Sequence, residues 1–134
     1  MSSGAAPGST RQRTAPQWQP PASQAPLTQL FGPGWAGVVL SLALLVLIGP
    51  VIEELAFRGV LLEAFAGKGP GFAIGLTSVI FALSHATAWL FVPTLVLGVA
   101  AGWIAWSRAS VVPAIWLHSL YNLTAVLAAF PLLF

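Results

Sequence analysis

Hydrophobic positions are concentrated in four long apolar segments that follow a polar N-terminal stretch. The segments cover about residues 35–66, 71–86, 90–107 and 111–130. At about 1.5 Å per residue, a helix of roughly 16–20 residues spans about 24–30 Å, close to the hydrocarbon thickness of a bilayer. The pattern therefore predicts an all-α fold, a polytopic membrane helix bundle with about four transmembrane helices. The second segment is the shortest, and we expect it to be tilted or to fall short of one interface.

The breaks between the segments contain residues that end helices. Residues 67–71 (Gly-Lys-Gly-Pro-Gly) predict one turn, and residues 107–110 predict another. Pro50 lies inside the first segment, where we expect it to kink or interrupt the helix and to free a carbonyl group that neighbouring helices must satisfy. Gly98 and Gly102 share one face of the third segment, which predicts close contact with another helix.

Composition makes lipid the main solvent of the chain. Hydrophobic residues form 57% of it and charged residues only 6%, whereas a soluble domain carries about 25% charged residues. There is no cysteine, which excludes disulfides, thiolate metal sites and cysteine nucleophiles. The five Lys and Arg are scattered, so we expect no nucleic-acid partner. We predict a multi-pass integral protein of the plasma (bacterial inner) membrane, with the lipid bilayer as its partner.

Two regions differ in composition. Residues 1–30 are rich in Pro, Ser and Gln, and a stretch of this kind buries too little apolar surface to offset its ordering entropy. We predict a disordered tail there, followed by one transmembrane domain over residues 31–134.

A few polar residues interrupt the apolar segments. Glu53 and Glu54 are adjacent, and His85, His118 and Asn122 lie inside or at the end of later segments. A charged side chain at the centre of a membrane helix costs about 2.5–3.5 kcal/mol on insertion scales. We therefore interpret these residues as one constellation in a shared, water-containing interior. The remaining acid, Glu63, is expected to be solvated at an interface.

The spacing of these residues supports that interpretation, because side chains four residues apart share a helix face. Three pairs have this spacing: Glu54 with Arg58, Phe81 with His85, and His118 with Asn122. Each pair also has a purely structural interpretation, which is in turn an ion pair that fixes helix packing, a hydrogen-bonded packing histidine, and polar contacts that join helices.

Three short motifs carry a resemblance to a known family. Residues 53–58 match EExxxR, residues 81–85 match FxxxH, and residues 118–122 match HxxxN, in this order and on separate apolar segments. The pattern resembles the CPBP (CAAX protease and bacteriocin-processing) family of intramembrane endopeptidases, also called the ABI family. The resemblance covers about residues 35–130.

The resemblance implies a role for each motif residue. Glu53 and His85 would bind and activate a water, and His118 with Asn122 would form an oxyanion site. The chemistry is coherent, since a carboxylate beside a histidine can act as a general base and N–H groups stabilise a tetrahedral oxyanion. The implied reaction is hydrolysis of a peptide bond within or near the membrane, without a cofactor. The remaining motif residues would support and orient the site: Glu54, Arg58 and Phe81.

Several alternatives stay open at this level. His85, His118 and a glutamate could instead supply the ligands of a catalytic zinc, although no HExxH helix is present. The substrate would be a membrane-associated peptide or protein, either a prenylated CAAX protein or a bacteriocin-like peptide. Four helices are fewer than in eukaryotic CAAX-processing members, so self-association into a homo-oligomer could complete the groove. Other functions are a catalytically idle scaffold or bacteriocin self-immunity protein, and a proton-coupled transport subunit.

Overall fold

The computed structural model describes residues 35–85 and 88–129. Within these ranges we distinguish four helices, close to the four predicted segments, and find no strand, so the predicted all-α fold is confirmed. The predicted tail, residues 1–30, lies outside the described residues, as do residues 86–87 of the link between the second and third helices. The helices are α1 (Trp35–Lys68), α2 (Pro70–Ser84), α3 (Phe91–Arg108) and α4 (Val112–Ala129).

Short breaks separate α1 from α2 and α3 from α4. Gly69 has a φ of 89°, which costs glycine little, and Pro70 occupies the first turn of α2, where its missing N–H is tolerated. Helix α3 ends at Ala109, which is left-handed with a φ of 47°. There the N–H of Ser110 donates to the Ala105 carbonyl at 3.1 Å, which satisfies a carbonyl of the last turn. Both breaks coincide with the predicted turns.

Helix α1 runs through Pro50, so of the two predicted effects, a kink or an interruption, the interruption does not occur. The backbone before the proline adopts a wider π-helical register over Ala43–Ile48. The N–H of Gly49 accordingly donates to the carbonyl of Leu44, five residues back. The wider turn relieves the clash between the proline ring and the preceding carbonyls, which is what breaks an ordinary α-helix.

Helices α2 and α3 approach closely because small residues line their contact. A Cβ atom added to Gly98 would lie 3.0 Å from the Ser78 Cβ, and one added to Gly102 would lie 3.1 Å from the Ile74 Cγ2. Both distances are shorter than ordinary van der Waals contact. The close helix contact predicted for the small-residue face of α3 is therefore confirmed.

The bundle buries polar side chains together with small and apolar ones, and its outside is apolar. Outside, 27 large hydrophobic side chains are exposed over the described residues. Hydroxyl groups inside pair with their own helix: Thr77 and Ser78 donate to carbonyls four residues back, at 2.8 and 2.6 Å. A surface this apolar is compatible with lipid and not with water. The buried polar residues are Ser41, Glu54, Arg58, Thr77, Ser78, Thr94, His118 and Ser119.

Two of the described helices, α1 and α3, are long and apolar enough to cross a membrane. Helix α2 has 15 residues and is therefore about 22 Å long, shorter than the roughly 30 Å of a hydrocarbon core. The prediction that the second segment is the shortest is confirmed. The lengths and the apolar exterior agree with the predicted membrane helix bundle.

Candidate active site

Helix α1 carries two adjacent acids in different environments. Consecutive helical residues point about 100° apart around the helix axis, so Glu53 and Glu54 face different neighbours. The Glu54 side chain is fully buried, with 0% exposed, whereas Glu53 keeps 38% of its side chain exposed. One acid therefore belongs to the packed interior, and the other borders accessible space.

Arg58 joins the buried acid to helix α3. Its Nη1 donates to the Glu54 Oε1 at 3.0 Å, and its Nη2 donates to the Gly98 carbonyl at 2.9 Å. The contact between Glu54 and Arg58 is the one predicted from their four-residue spacing. The bond to Gly98 extends it across the bundle, so the guanidinium holds the middle of α1 against α3.

Phe81 is the aromatic side chain around which the charged groups gather. Its ring is fully buried on α2, and the Arg58 guanidinium lies 4.6 Å from its centroid. The rings of His85 and His118 meet it edge-on, with centroids 4.7 and 5.5 Å away. Contacts of this kind limit the movement of both imidazoles and of the guanidinium.

Hydrogen bonds orient the two imidazole rings. The His118 Nδ1 lies 2.9 Å from the Glu54 Oε1, and the His85 Nδ1 lies 2.9 Å from the Phe81 carbonyl oxygen. Carboxylate and carbonyl oxygens accept hydrogen bonds, so each Nδ1 is assigned as the donor. The Nε2 atoms of the two rings are then the groups presented to Glu53.

The Oε2 atom of Glu53 faces both of these nitrogens. It lies 3.9 Å from the His85 Nε2 and 3.8 Å from the His118 Nε2. Both distances exceed a direct hydrogen bond and suit groups that share a small bridging molecule such as water. Among the described residues no donor is hydrogen-bonded to this buried oxygen. Helices α1, α2 and α4 thus converge on one carboxylate oxygen.

Asn122 lies one turn beyond His118 on α4. Its Nδ2 donates to the carbonyl of Leu45 in α1 at 2.8 Å. Within the part of the chain that the structure describes, this is its one hydrogen bond. The structure therefore brings together Glu53, Glu54, Arg58, Phe81, His85 and His118, whereas Asn122 contacts α1 at a point nearer its N-terminus.

A cleft of about 650 Å³ lies apart from this convergence, between the second half of α1 and the end of α3. Its lining includes Arg58, the exposed acid Glu63 and Trp106, but neither Glu53 nor a histidine. We assign the candidate site from the converging polar groups, because the cleft gathers no set of groups with comparable chemistry.

Over residues 35–85 and 88–129, no group of three or more His, Cys, Asp or Glu side chains is arranged to hold a metal ion. The orientation of His118 bears on the zinc alternative, since its Nδ1 is already engaged by Glu54. Only its Nε2 faces Glu53 and could serve as a ligand.

Sequence reasoning missed two backbone groups that take part in these contacts, the carbonyls of Gly98 and Leu45. Each had a signal in the sequence. The glycine pattern of α3 indicated close helix contact, which exposes backbone atoms, and Pro50 indicated a freed carbonyl nearby. Neither signal identifies the partner side chain, because the partner comes from another helix.

Comparison with known proteins identifies one family. The family model described as type II CAAX prenyl endopeptidase Rce1-like matches residues 35–124. No curated protein and no solved structure matches the chain significantly. The matched range contains all three motifs and bears out the resemblance inferred from them.

Proposed function

Because the chain belongs to the type II CAAX prenyl endopeptidase Rce1-like family, we propose that it hydrolyses peptide bonds with a water activated by Glu53 and His85. One observation carries this proposal: the Glu53 Oε2 faces the Nε2 atoms of two histidines from two other helices. Glu53 and His85 keep 38% and 28% of their side chains exposed, so both residues border accessible space while the Oε2 atom itself is buried.

The first step is attack of water on the scissile carbonyl carbon. Glu53 accepts a proton as the water oxygen forms its bond to carbon, while His85 orients the same water through its Nε2. The carbonyl oxygen becomes an oxyanion in the tetrahedral intermediate. Collapse of this intermediate breaks the C–N bond, and Glu53 returns its proton to the leaving amine. General acid–base catalysis of this kind contributes about 10²–10⁴-fold.

His118 supplies a donor for the oxyanion. Since its Nδ1 donates to Glu54, an Nε2–H is present only when the ring carries both protons. The resulting imidazolium and the Arg58 guanidinium together balance the carboxylates of Glu53 and Glu54. An electrically balanced cluster avoids the cost of an uncompensated charge in an apolar bundle. A charged donor in a low-dielectric site also stabilises an oxyanion strongly.

Three side chains hold Glu53, His85 and His118 in position: Glu54, Arg58 and Phe81. Glu54 holds the His118 ring through Nδ1, Arg58 fixes Glu54 against α3, and Phe81 packs against both imidazoles. In this proposal none of the three touches the reacting atoms. Their loss lowers turnover by displacing the groups that do.

The substrate reaches the site from the membrane. The exposed surface is apolar around the bundle, which supports a multi-pass arrangement, and we assign the chain to the plasma (bacterial inner) membrane as part of the proposal. A prenylated CAAX-type protein or a bacteriocin-like peptide would present its scissile bond from lipid. Self-association of the chain would extend the groove that binds it.

Cleavage of a mixed peptide library tests the proposal. The library includes peptides with a farnesylated cysteine, and the chain is assayed in detergent and in liposomes. Glu53→Gln and His85→Ala should each lower turnover at least about 10²-fold, because each removes a group that acts on the water. Glu63→Gln is the matched control, since it neutralises an exposed acid on the same helix, and it should cleave like wild type.

A zinc chelator gives a second arm. Cleavage that survives chelation supports the metal-free mechanism, whereas loss with recovery on added zinc would replace it with a zinc-dependent one. Equal activity of Glu53→Gln and wild type would refute the assigned roles. A fully folded wild type that cleaves no library member would favour a scaffold or immunity protein, and proton flux in liposomes would favour a transport subunit.

A further inference from the structure

The carbonyl of Leu45 lacks both of the regular backbone donors that an α-helical or π-helical register would give it. In an α-helical register its donor would be the N–H of Gly49, but that group donates to Leu44 instead. In the π register its donor would be residue 50, which is Pro50 and carries no N–H. The shift of register and the proline together remove both regular donors of this oxygen along α1.

Asn122 satisfies this oxygen from the opposite helix. Its Nδ2 donates to the Leu45 carbonyl at 2.8 Å, across 77 residues of sequence. In a membrane, water is scarce as a substitute, and an unpaired backbone carbonyl costs free energy. The asparagine and the proline are therefore coupled: one residue frees the carbonyl that the other residue binds.

A second hydrogen bond joins the same two helices one turn away. His118 on α4 binds Glu54 on α1 at 2.9 Å, so α4 contacts α1 on both sides of Pro50. We propose that Asn122 is a positioning residue, which holds the Leu45 carbonyl freed by Pro50 and thereby keeps α4 in register for His118 to face Glu53. This inference rests on the proposed function and differs from the oxyanion role that the resemblance implies for Asn122.

A double-mutant cycle between Asn122 and Pro50 tests this inference. Pro50→Ala restores an N–H at position 50, which can donate to the Leu45 carbonyl without help from α4. In the native background, Asn122→Ala should lower kcat about tenfold, because a displaced His118 stabilises the oxyanion less well. In the Pro50→Ala background, the same substitution should change kcat by less than about twofold.

The same variants separate positioning from other roles. The KM should stay within about twofold, because a positioning residue makes no contact with the substrate. Thr124→Ala is the matched control: the Thr124 hydroxyl donates to the Tyr121 carbonyl within α4 and joins no other helix. It should retain wild-type kcat. An equal loss of kcat on Asn122→Ala in both backgrounds would overturn the inference and identify a direct contact with the oxyanion.

Reversible unfolding of the same four proteins in mixed detergent micelles distinguishes failure of this inference from failure of the proposed function. Asn122→Ala should lower the unfolding midpoint in the native background and leave it unchanged beside Pro50→Ala. If wild type cleaves nothing but the unfolding cycle shows this coupling, the proposed function fails and the hydrogen-bond coupling stands. If wild type cleaves but the effects of Asn122→Ala and Pro50→Ala are additive in both kcat and the unfolding midpoint, the positioning role of Asn122 fails and the proposed function stands.

Discussion

Removal of the Arg58 guanidinium alone should destabilise the folded chain strongly. Arg58 and Glu54 are fully buried as side chains, and Arg58 provides one of two hydrogen bonds to the Glu54 Oε1. Arg58→Met leaves this carboxylate with His118 as its remaining partner. Loss of one member of a buried ion pair costs about 3–5 kcal/mol, because the other charge stays in a low-dielectric interior. We expect a loss of unfolding free energy in this range.

Removal of both charges should cost much less. In the double variant Glu54→Gln with Arg58→Met, the amide oxygen of the glutamine can still accept a hydrogen bond from the His118 Nδ1. Replacement of a buried ion pair by neutral groups of similar volume is often neutral or stabilising. The double variant should therefore recover most of the stability that Arg58→Met loses, and we expect a net cost below about 1.5 kcal/mol, the usual size of a lost hydrogen bond.

Unfolding by increasing sodium dodecyl sulfate in mixed micelles measures these differences. Arg108→Met is the matched control, because Arg108 is an exposed arginine in the last turn of α3. It should cost less than about 1 kcal/mol. Two results would refute this prediction. One is a loss of unfolding free energy in Arg58→Met that is no larger than in this control. The other is a loss in the double variant that equals the sum of the losses in Arg58→Met and Glu54→Gln.

Two further substitutions test the helix contacts. Gly98→Ala inserts a Cβ 3.1 Å from the backbone Cα of Ser78 and should lower the unfolding free energy by about 1–3 kcal/mol through overpacking. Gly75→Ala is its control, because the added Cβ meets nothing within 4 Å, and it should not destabilise the chain in the same unfolding assay. Gly49→Ala inserts a Cβ 2.9 Å from the Leu44 carbonyl oxygen. It should lower both stability and peptide cleavage, because it disturbs the π register ahead of the acidic pair. Wild-type stability and cleavage in this variant would contradict the importance of that register.

The sequence was sufficient to predict the helices and the pairs within them. Apolar runs separated by glycine and proline gave four helices near their observed bounds. The four-residue spacing predicted that Glu54 meets Arg58, and that contact is observed. Both predictions depend only on local periodicity, which can be read directly from the sequence.

Contacts that depend on helix packing were harder to predict from the sequence. Pro50 was predicted to kink or interrupt α1, and the helix continues because the π register over Ala43–Ile48 accommodates the proline. A change of register of this kind has no clear sequence signature. The pairing of Arg58 with Gly98 and of Asn122 with Leu45 uses backbone acceptors from other helices. Every residue offers such a carbonyl, so only the packed structure selects one. The catalytic roles remain predictions that kinetics must test.

The most direct test of the central claim is kcat for Glu53→Gln, His85→Ala and the double variant on one cleaved peptide. If Glu53 and His85 act on the same water, removing either group disables one catalytic unit, and effects within a unit are not additive. The account predicts that the double variant is about as slow as the slower single variant. A double variant slowed by the product of the two single effects would show that the two residues act independently and would contradict the account.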